Sequence, residues 1–156
     1  MKYVDTKVVF REVPSEITLA INISGCPVGC PDCHSSYLAG DIGEVLDKTS
    51  LETLITRAPG ITCVSFMGGD ADPSSVKELA GWVKSAWNGL KTCWYSGRDL
   101  AAAREVLPAL DYVKVGPYRE EFGPLDSPTT NQRFYKVFDN GARLEECTEL
   151  FRRKIF

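Results

Sequence analysis

Ile61-Thr62-Cys63-Val64-Ser65-Phe66-Met67-Gly68-Gly69-Asp70-Ala71-Asp72-Pro73-Ser74-Ser75 is the stretch that decides the fold. Ile61 to Phe66 is apolar and partly β-branched, the composition of a buried strand. Met67-Gly68-Gly69-Asp70 ends that strand. Pro73 and the Ser75/Glu78 capping-box spacing then open a helix. Val76, Leu79, Ala80, Val83, Ala86 and Trp87 recur at helical spacing until Asn88-Gly89. Strand, tight turn and helix in this order are the repeating unit of a parallel sheet.

The same alternation extends in both directions. Upstream, Ile17 to Ile23 predicts a strand that runs into Ser24-Gly25 and a Cys/Pro/Gly loop reaching to about Gly43. A helix follows, with Thr49 and Glu52 spaced as a capping box, Leu51, Leu54 and Ile55 on one face, and Gly60 as its stop. Downstream, Leu90 to Tyr95 reads as a strand closed by Ser96-Gly97, and Asp99 to Leu107 as an Ala-rich helix ended by Pro108. Tyr112 to Val115 is a fourth strand before Gly116-Pro117, and residues 119–130 are irregular. Phe134 to Phe138 predicts a last strand, and Leu144, Cys147, Leu150 and Phe151 a C-terminal helix. The expectation is one α/β domain over residues 1–156 with a mainly parallel sheet. The cysteine loop and the Gly-Gly-Asp turn both follow C-terminal strand ends, the edge where such sheets build sites.

Composition agrees with a packed domain. The 156 residues are 44% hydrophobic, and a chain of this size buries about two-thirds of its accessible surface. Disordered, collagen-like and coiled-coil classes are excluded. The 18 Lys and Arg against 21 Asp and Glu leave a net charge of −3, which offers nothing to attract nucleic acid or an anionic membrane. No apolar run approaches the ~18 residues of a membrane span, and Met1-Lys2-Tyr3-Val4-Asp5-Thr6-Lys7 breaks with charge too early for a secretory signal. A cytoplasmic location is expected, with the six cysteines as reduced thiols or metal ligands.

Three of those cysteines are crowded into Cys26-Pro27-Val28-Gly29-Cys30-Pro31-Asp32-Cys33-His34. A Gly/Pro-rich loop lets the backbone wrap thiolates around one soft metal centre. The spacing admits three readings. One is a [4Fe–4S] cluster with one iron left open for a ligand. Another is structural zinc with His34, the single histidine, as fourth ligand, although neighbouring residues fit one tetrahedron poorly. The third is thiols without metal. Cys63, Cys93 and Cys147 lie in apolar elements and read as small core hydrophobes.

The Cys-x3-Cys-x2-Cys loop after the first strand resembles the signature of the radical S-adenosylmethionine superfamily, and Met67-Gly68-Gly69-Asp70 resembles that family's Gly-Gly-Glu/Asp turn. Trp94-Tyr95-Ser96-Gly97 is similar to the Trp-x-Thr-Gly turn of the enzymes that activate anaerobic ribonucleoside-triphosphate reductase. Tyr112 to Tyr118 resembles that group's next strand, with Val-Gly where Asp-Gly is usual, and Thr130-Asn131-Gln132-Arg133 matches its Ser-Asn-Gln-Arg segment. Two departures stand out: Arg11 to Glu16 replaces a Gly-Pro-Gly-x-Arg segment, and Asp32 replaces an aromatic residue or glycine.

The resemblance implies a partial (β/α) barrel holding one [4Fe–4S] cluster on Cys26, Cys30 and Cys33, with S-adenosyl-L-methionine on its open iron. Asp70 would take the methionyl ammonium. Asp32, Cys33, His34, Gly68 and Gly69 would approach the same ligand, and Ser96 and Asn131 its carboxylate or ribose. No catalytic side chain is implied beyond cluster and S-adenosylmethionine. Reductive cleavage would release a 5′-deoxyadenosyl radical that abstracts hydrogen from a glycine of a large glycyl-radical reductase subunit. An external one-electron donor such as flavodoxin would supply the electron. Activation of another glycyl-radical enzyme, or a small-molecule reaction of the deazaguanine-synthase kind, are the alternatives.

Overall fold

The computed structural model describes residues 1–25 and 40–152. Its strands are β1 (Lys2–Val9), β2 (Thr18–Ile23), β3 (Glu44–Val45), β4 (Cys63–Met67), β5 (Lys91–Tyr95), β6 (Tyr112–Val115), β7 (Arg133–Phe138) and β8 (Arg143–Glu146). The helices among the described residues are α1 (Lys48–Thr56), α2 (Pro73–Ala86) and the single turn α3 (Leu100–Ala103). The strands form one sheet in the order β3-β1-β2-β4-β5-β6-β7-β8.

The α/β class is as expected, but the sheet is mixed rather than mainly parallel. β2, β4, β5 and β6 run in one direction, while β1 and β3 on one flank and β7 and β8 on the other pair antiparallel. Parallel neighbours need a crossover, whereas antiparallel ones can close through a short turn. Helices α1, α2 and α3 lie in the β2–β4, β4–β5 and β5–β6 connections. Asp139-Asn140-Gly141 instead folds β8 straight back on β7, with Asn140 and Gly141 at positive φ, the conformation that favours Asn and Gly in hairpin turns.

Alternation along the strands separates two faces. Leu19, Ile21, Ile23, Val64, Phe66, Trp94, Val113 and Val115 join the buried residues of the three helices in one core. Val13, Cys63, Cys93, Tyr112, Phe134 and Cys147 form a second cluster on the opposite face. That face is covered by residues before β2 and after β8, including Leu150 and Phe151. Cys63, Cys93 and Cys147 are therefore core residues, and burial raises all three thiols, Cys93 to about 12 and Cys147 to about 11.

Local signals are met with some displacement. Helix α1 is capped by Asp47 and Ser50, which bond reciprocally, rather than by Thr49 and Glu52. Asp72 caps α2, accepting from the Ser75 N–H, with Pro73 in the first turn. The expected Ala-rich helix stops at Ala103, Leu107–Ala109 being a separate 3-10 turn. The expected C-terminal helix is instead β8 followed by 3-10 turns over Thr148–Arg152. No helix among the described residues is long and apolar enough to cross a membrane.

At the edge where the parallel strands begin, a buried carboxylate ties the two halves of the sheet. Glu16 accepts from Lys91 Nζ at 2.7 Å, from the Tyr112 hydroxyl at 2.9 Å and from Thr62 Oγ1 at 2.5 Å. Burial opposes its charge, but these three donors outweigh it and hold its pKa below the usual glutamate value. The hydrogen bond to Glu16 is the main cause of the raised Lys91 pKa. A depressed carboxyl pKa contributes stability above the unfolded value, near 4.3 for Glu, and that contribution fades as pH falls through the folded value. Urea denaturation of the wild type is expected to weaken below about pH 4.5. Glu16→Gln should start less stable at neutral pH and show a flatter acid limb.

Candidate functional site

The four parallel strands end at one edge, and the candidate residues gather there. Strand β4 delivers Gly68 and Gly69, both at positive φ (114° and 96°), a region where glycine carries no steric penalty. A Cβ on Gly69 would stand 2.7 Å from Val76 Cγ2, and one on Gly68 3.1 Å from the Ile23 carbonyl oxygen. The glycine pair thus lets the turn press against β2 and the start of α2. Trp94 Nε1 donates to the Gly68 carbonyl at 2.7 Å, and the Gly68 N–H donates to the Tyr95 carbonyl at 3.1 Å, which fastens the turn to β5.

Asp70 follows that turn and is 4% exposed. Its Oδ1 accepts from Ser96 Oγ at 2.5 Å and its Oδ2 from the Gly97 N–H at 2.9 Å. Ser96 Oγ in turn accepts from the Arg98 N–H at 3.0 Å. The two turns are therefore locked together by a carboxylate whose oxygens each keep a further lone pair. The lock continues into the next strand, since the Ser96 N–H donates to the Lys114 carbonyl and the Gly116 N–H to the Arg98 carbonyl.

Asn131 stands beside Gly116, where a Cβ would meet the Asn131 carbonyl oxygen at 3.4 Å. Its Nδ2 donates to the Pro117 carbonyl at 3.0 Å, while Oδ1 is buried without a hydrogen-bond partner among the described residues. An orphaned buried acceptor has a cost of about 1–3 kcal/mol until a donor meets it. Hydroxyl and ammonium donors are what the ribose and methionyl parts of S-adenosylmethionine carry, so this residue fits such a ligand.

Asp70 and Ser96 are thus bonded directly, Gly68 is fastened to the strand that carries Ser96, and Asn131 is reached through Gly116 on the same edge. Cys26, Cys30, Asp32, Cys33 and His34 lie outside the described residues. The described chain reaches Gly25, just beyond the end of β2 and one residue before Cys26. No group of three His, Cys, Asp or Glu able to hold a metal ion occurs among the described residues.

One edge residue was not singled out from the sequence. Lys114 is 9% exposed on the face opposite the helices, donating to the Ser96 carbonyl at 3.2 Å and the Gly116 carbonyl at 2.9 Å. Its ammonium also lies 5.7 Å from the Tyr95 ring centroid. Pairing puts Asn22, Met67, Tyr95 and Lys114 in one row across the sheet. The signal in the sequence is a single lysine within an otherwise apolar strand. Arg133 is held by the Thr130 and Gln132 carbonyls and pairs with Glu146.

No family model matches the chain, and no curated protein or solved structure does either.

Removing the hydroxyl that serves Asp70 tests the lock. Ser96→Ala should lower stability by about 1–3 kcal/mol, the cost of a buried carboxylate one hydrogen bond short. It is read as a shift in the urea midpoint at unchanged slope.

Proposed function

We propose that the chain is an iron–sulfur activase that uses S-adenosylmethionine to generate a glycyl radical on an anaerobic ribonucleoside-triphosphate reductase. The single observation that carries this reading is the meeting of the Gly68-Gly69-Asp70 turn, the Ser96-Gly97 turn and Asn131 at the edge where β2 hands the chain to the cysteine loop. Those are the segments whose residues resemble the family's, and they are far apart in sequence. Convergence of separated motifs on one strand-end edge is what a shared ligand requires.

In this reading Cys26, Cys30 and Cys33 hold the cluster, leaving one iron for the amine and carboxylate of S-adenosylmethionine. When bound, the pair supplies one-electron cleavage of the sulfonium to methionine and a 5′-deoxyadenosyl radical. The chain's own residues position and enclose. Asp70, with a spare lone pair on each oxygen, would offer a charge-assisted acceptor to the N–H groups of the methionyl amine. Asn131 Oδ1 accepts from a ribose hydroxyl. Gly68 and Gly69 keep side chains out of the approach, and Asp32, Cys33, His34 and Ser96 complete the surroundings of the ligand.

The finer architecture belongs to the same proposal. Strands β2, β4, β5 and β6, with helices on one face, are the material of a partial (β/α) barrel, and the antiparallel flanks extend it. The row Asn22, Met67, Tyr95 and Lys114 lies on the helix-free face at the site edge. A partial barrel with an open mouth would admit a protein loop carrying the target glycine rather than enclose a small molecule, with an external donor such as flavodoxin delivering the electron.

The test is electron paramagnetic resonance on anaerobically reconstituted, reduced protein. A [4Fe–4S]⁺ signal that changes on addition of S-adenosylmethionine is expected, and Cys30→Ala should abolish both the signal and cleavage of the ligand. Zinc in place of iron, or cleavage surviving in Cys30→Ala, would overturn the reading.

A further inference from the structure

The sheet has two ends, and they are finished differently. Strand β8 closes one with exposed Arg143, Glu145 and Glu146, of which Arg143 pairs with Asp139 and Glu146 with Arg133. Charge of this kind blunts an edge against further strand pairing. The other end is guarded only by its own two charges and by a register shift between Tyr3 and Asp5. Strand β3 pairs with β1 only at Lys2 and Tyr3, so among the described residues nothing pairs with Val4 to Val9 on that side. Val8, Phe10 and Ile17, at the far end of that edge, are exposed, Phe10 by 63%. Asp5 and Lys7 are its only charges, and Lys7 forms no ion pair among the described residues.

The residue pattern selects a partner. A strand entering antiparallel must keep clear of β3, which occupies Lys2 and Tyr3. It must also oppose residues whose backbones both face outward, so a two-fold axis passes through a residue and not between two. Centred on Asp5, the axis sets carboxylate against carboxylate. Centred on Lys7, it sets ammonium against ammonium. Centred on Thr6, it sets Asp5 opposite the second copy's Lys7 at two equivalent places, on the regular stretch that follows the register shift between Tyr3 and Asp5. Opposite charges facing each other across strands stabilise pairing and like charges weaken it. A self-complementary patch of this kind is the form of an isologous two-fold interface.

We infer that two copies of this chain associate through the outer edge of β1, antiparallel about Thr6, continuing the sheet from one copy into the other. The inference is independent of the proposed activity, because β1 contributes none of the residues assigned to the ligand. The edge residues Asp5 and Lys7 set the register, and Asp5 keeps its bond from Asn22 Nδ2 at 2.5 Å through one carboxylate oxygen. The remaining oxygen is free to meet the second copy's Lys7.

Sedimentation equilibrium on the full chain, over low to high micromolar concentration, tests this. The expected result is a dimer whose dissociation constant rises about tenfold or more in K7D or D5K, where like charges face each other twice. The double variant D5K/K7D restores the opposite pairing and should restore the dimer, and K7R should leave it intact. Circular dichroism establishes that each variant is folded. Should the Asp5 variants unfold, K7D against K7R decides the matter, because exposed Lys7 is replaceable without loss of a contact. A chain that stays monomeric, which would leave the edge to another protein's strand, overturns the inference. So does a dimer that K7D leaves unchanged, or a folded double variant that does not recover it.

Discussion

The common direction of β2, β4, β5 and β6 is the constraint from which the rest of the structure follows. Strands that run together must be joined by crossovers, and α1, α2 and α3 lie in those connections, with their apolar faces in a single core. One face of the sheet is thereby covered by helices and the other left to shorter segments. The same arrangement brings the C-termini of these four strands to one edge, so turns separated by tens of residues become neighbours. The Asp70 carboxylate, bonded to Ser96 Oγ and the Gly97 N–H, converts that proximity into a fixed geometry.

The two edges of the parallel section each hold one buried carboxylate, and the partners define different tasks. Glu16 is met by Lys91, Tyr112 and Thr62, a cation and two hydroxyls that meet its charge at the edge where the strands start. Asp70 is met by one hydroxyl and one backbone N–H, with no cation bonded to it among the described residues. A carboxylate in that situation can take a cationic partner from outside the chain. Nearby, Asn131 offers a buried oxygen lacking a donor. Polar groups left partly unsatisfied at a strand-end edge are the physical basis for placing the ligand there rather than at the Glu16 edge.

The flanking strands add a separate level of organisation. Strand β8 folds back on β7 through a short turn and ends the sheet in charge, whereas β1 presents backbone on its outer side beyond Tyr3. The sheet's ends are therefore unlike, and the site lies between them on the parallel section. The proposed association through one end would leave the strand-end edge accessible, so the proposed assembly and the proposed chemistry would occupy different borders of the same sheet.

Short-range signals were enough for the central elements. Periodicity located β2, β4, β5, β6, β7, α1 and α2 to within a few residues, because each buries a regular apolar pattern against the same sheet or core. The Gly68-Gly69-Asp70 turn was legible as a strand ending, whereas Ser96 and Asn131 were picked out only by the family resemblance of their segments. Strand β1 was not, since Lys2, Asp5 and Lys7 interrupt its apolar residues and its pairing with β2 is what makes it a strand. Strand β8 was misread as helix because Leu144, Cys147 and Leu150 also fit a helical spacing, although Asp139-Asn140-Gly141 carried the hairpin signal. Lys114 and the Glu16 cluster were invisible for a related reason: their significance lies in partners up to 96 residues distant. The sequence by itself determined which segments are strands, turns and helices, through local periodicity and turn chemistry. Only the tertiary structure decided which strands run antiparallel, what satisfies each buried carboxylate, and that the separated turns share one edge, because those outcomes depend on contacts between residues that no local pattern relates.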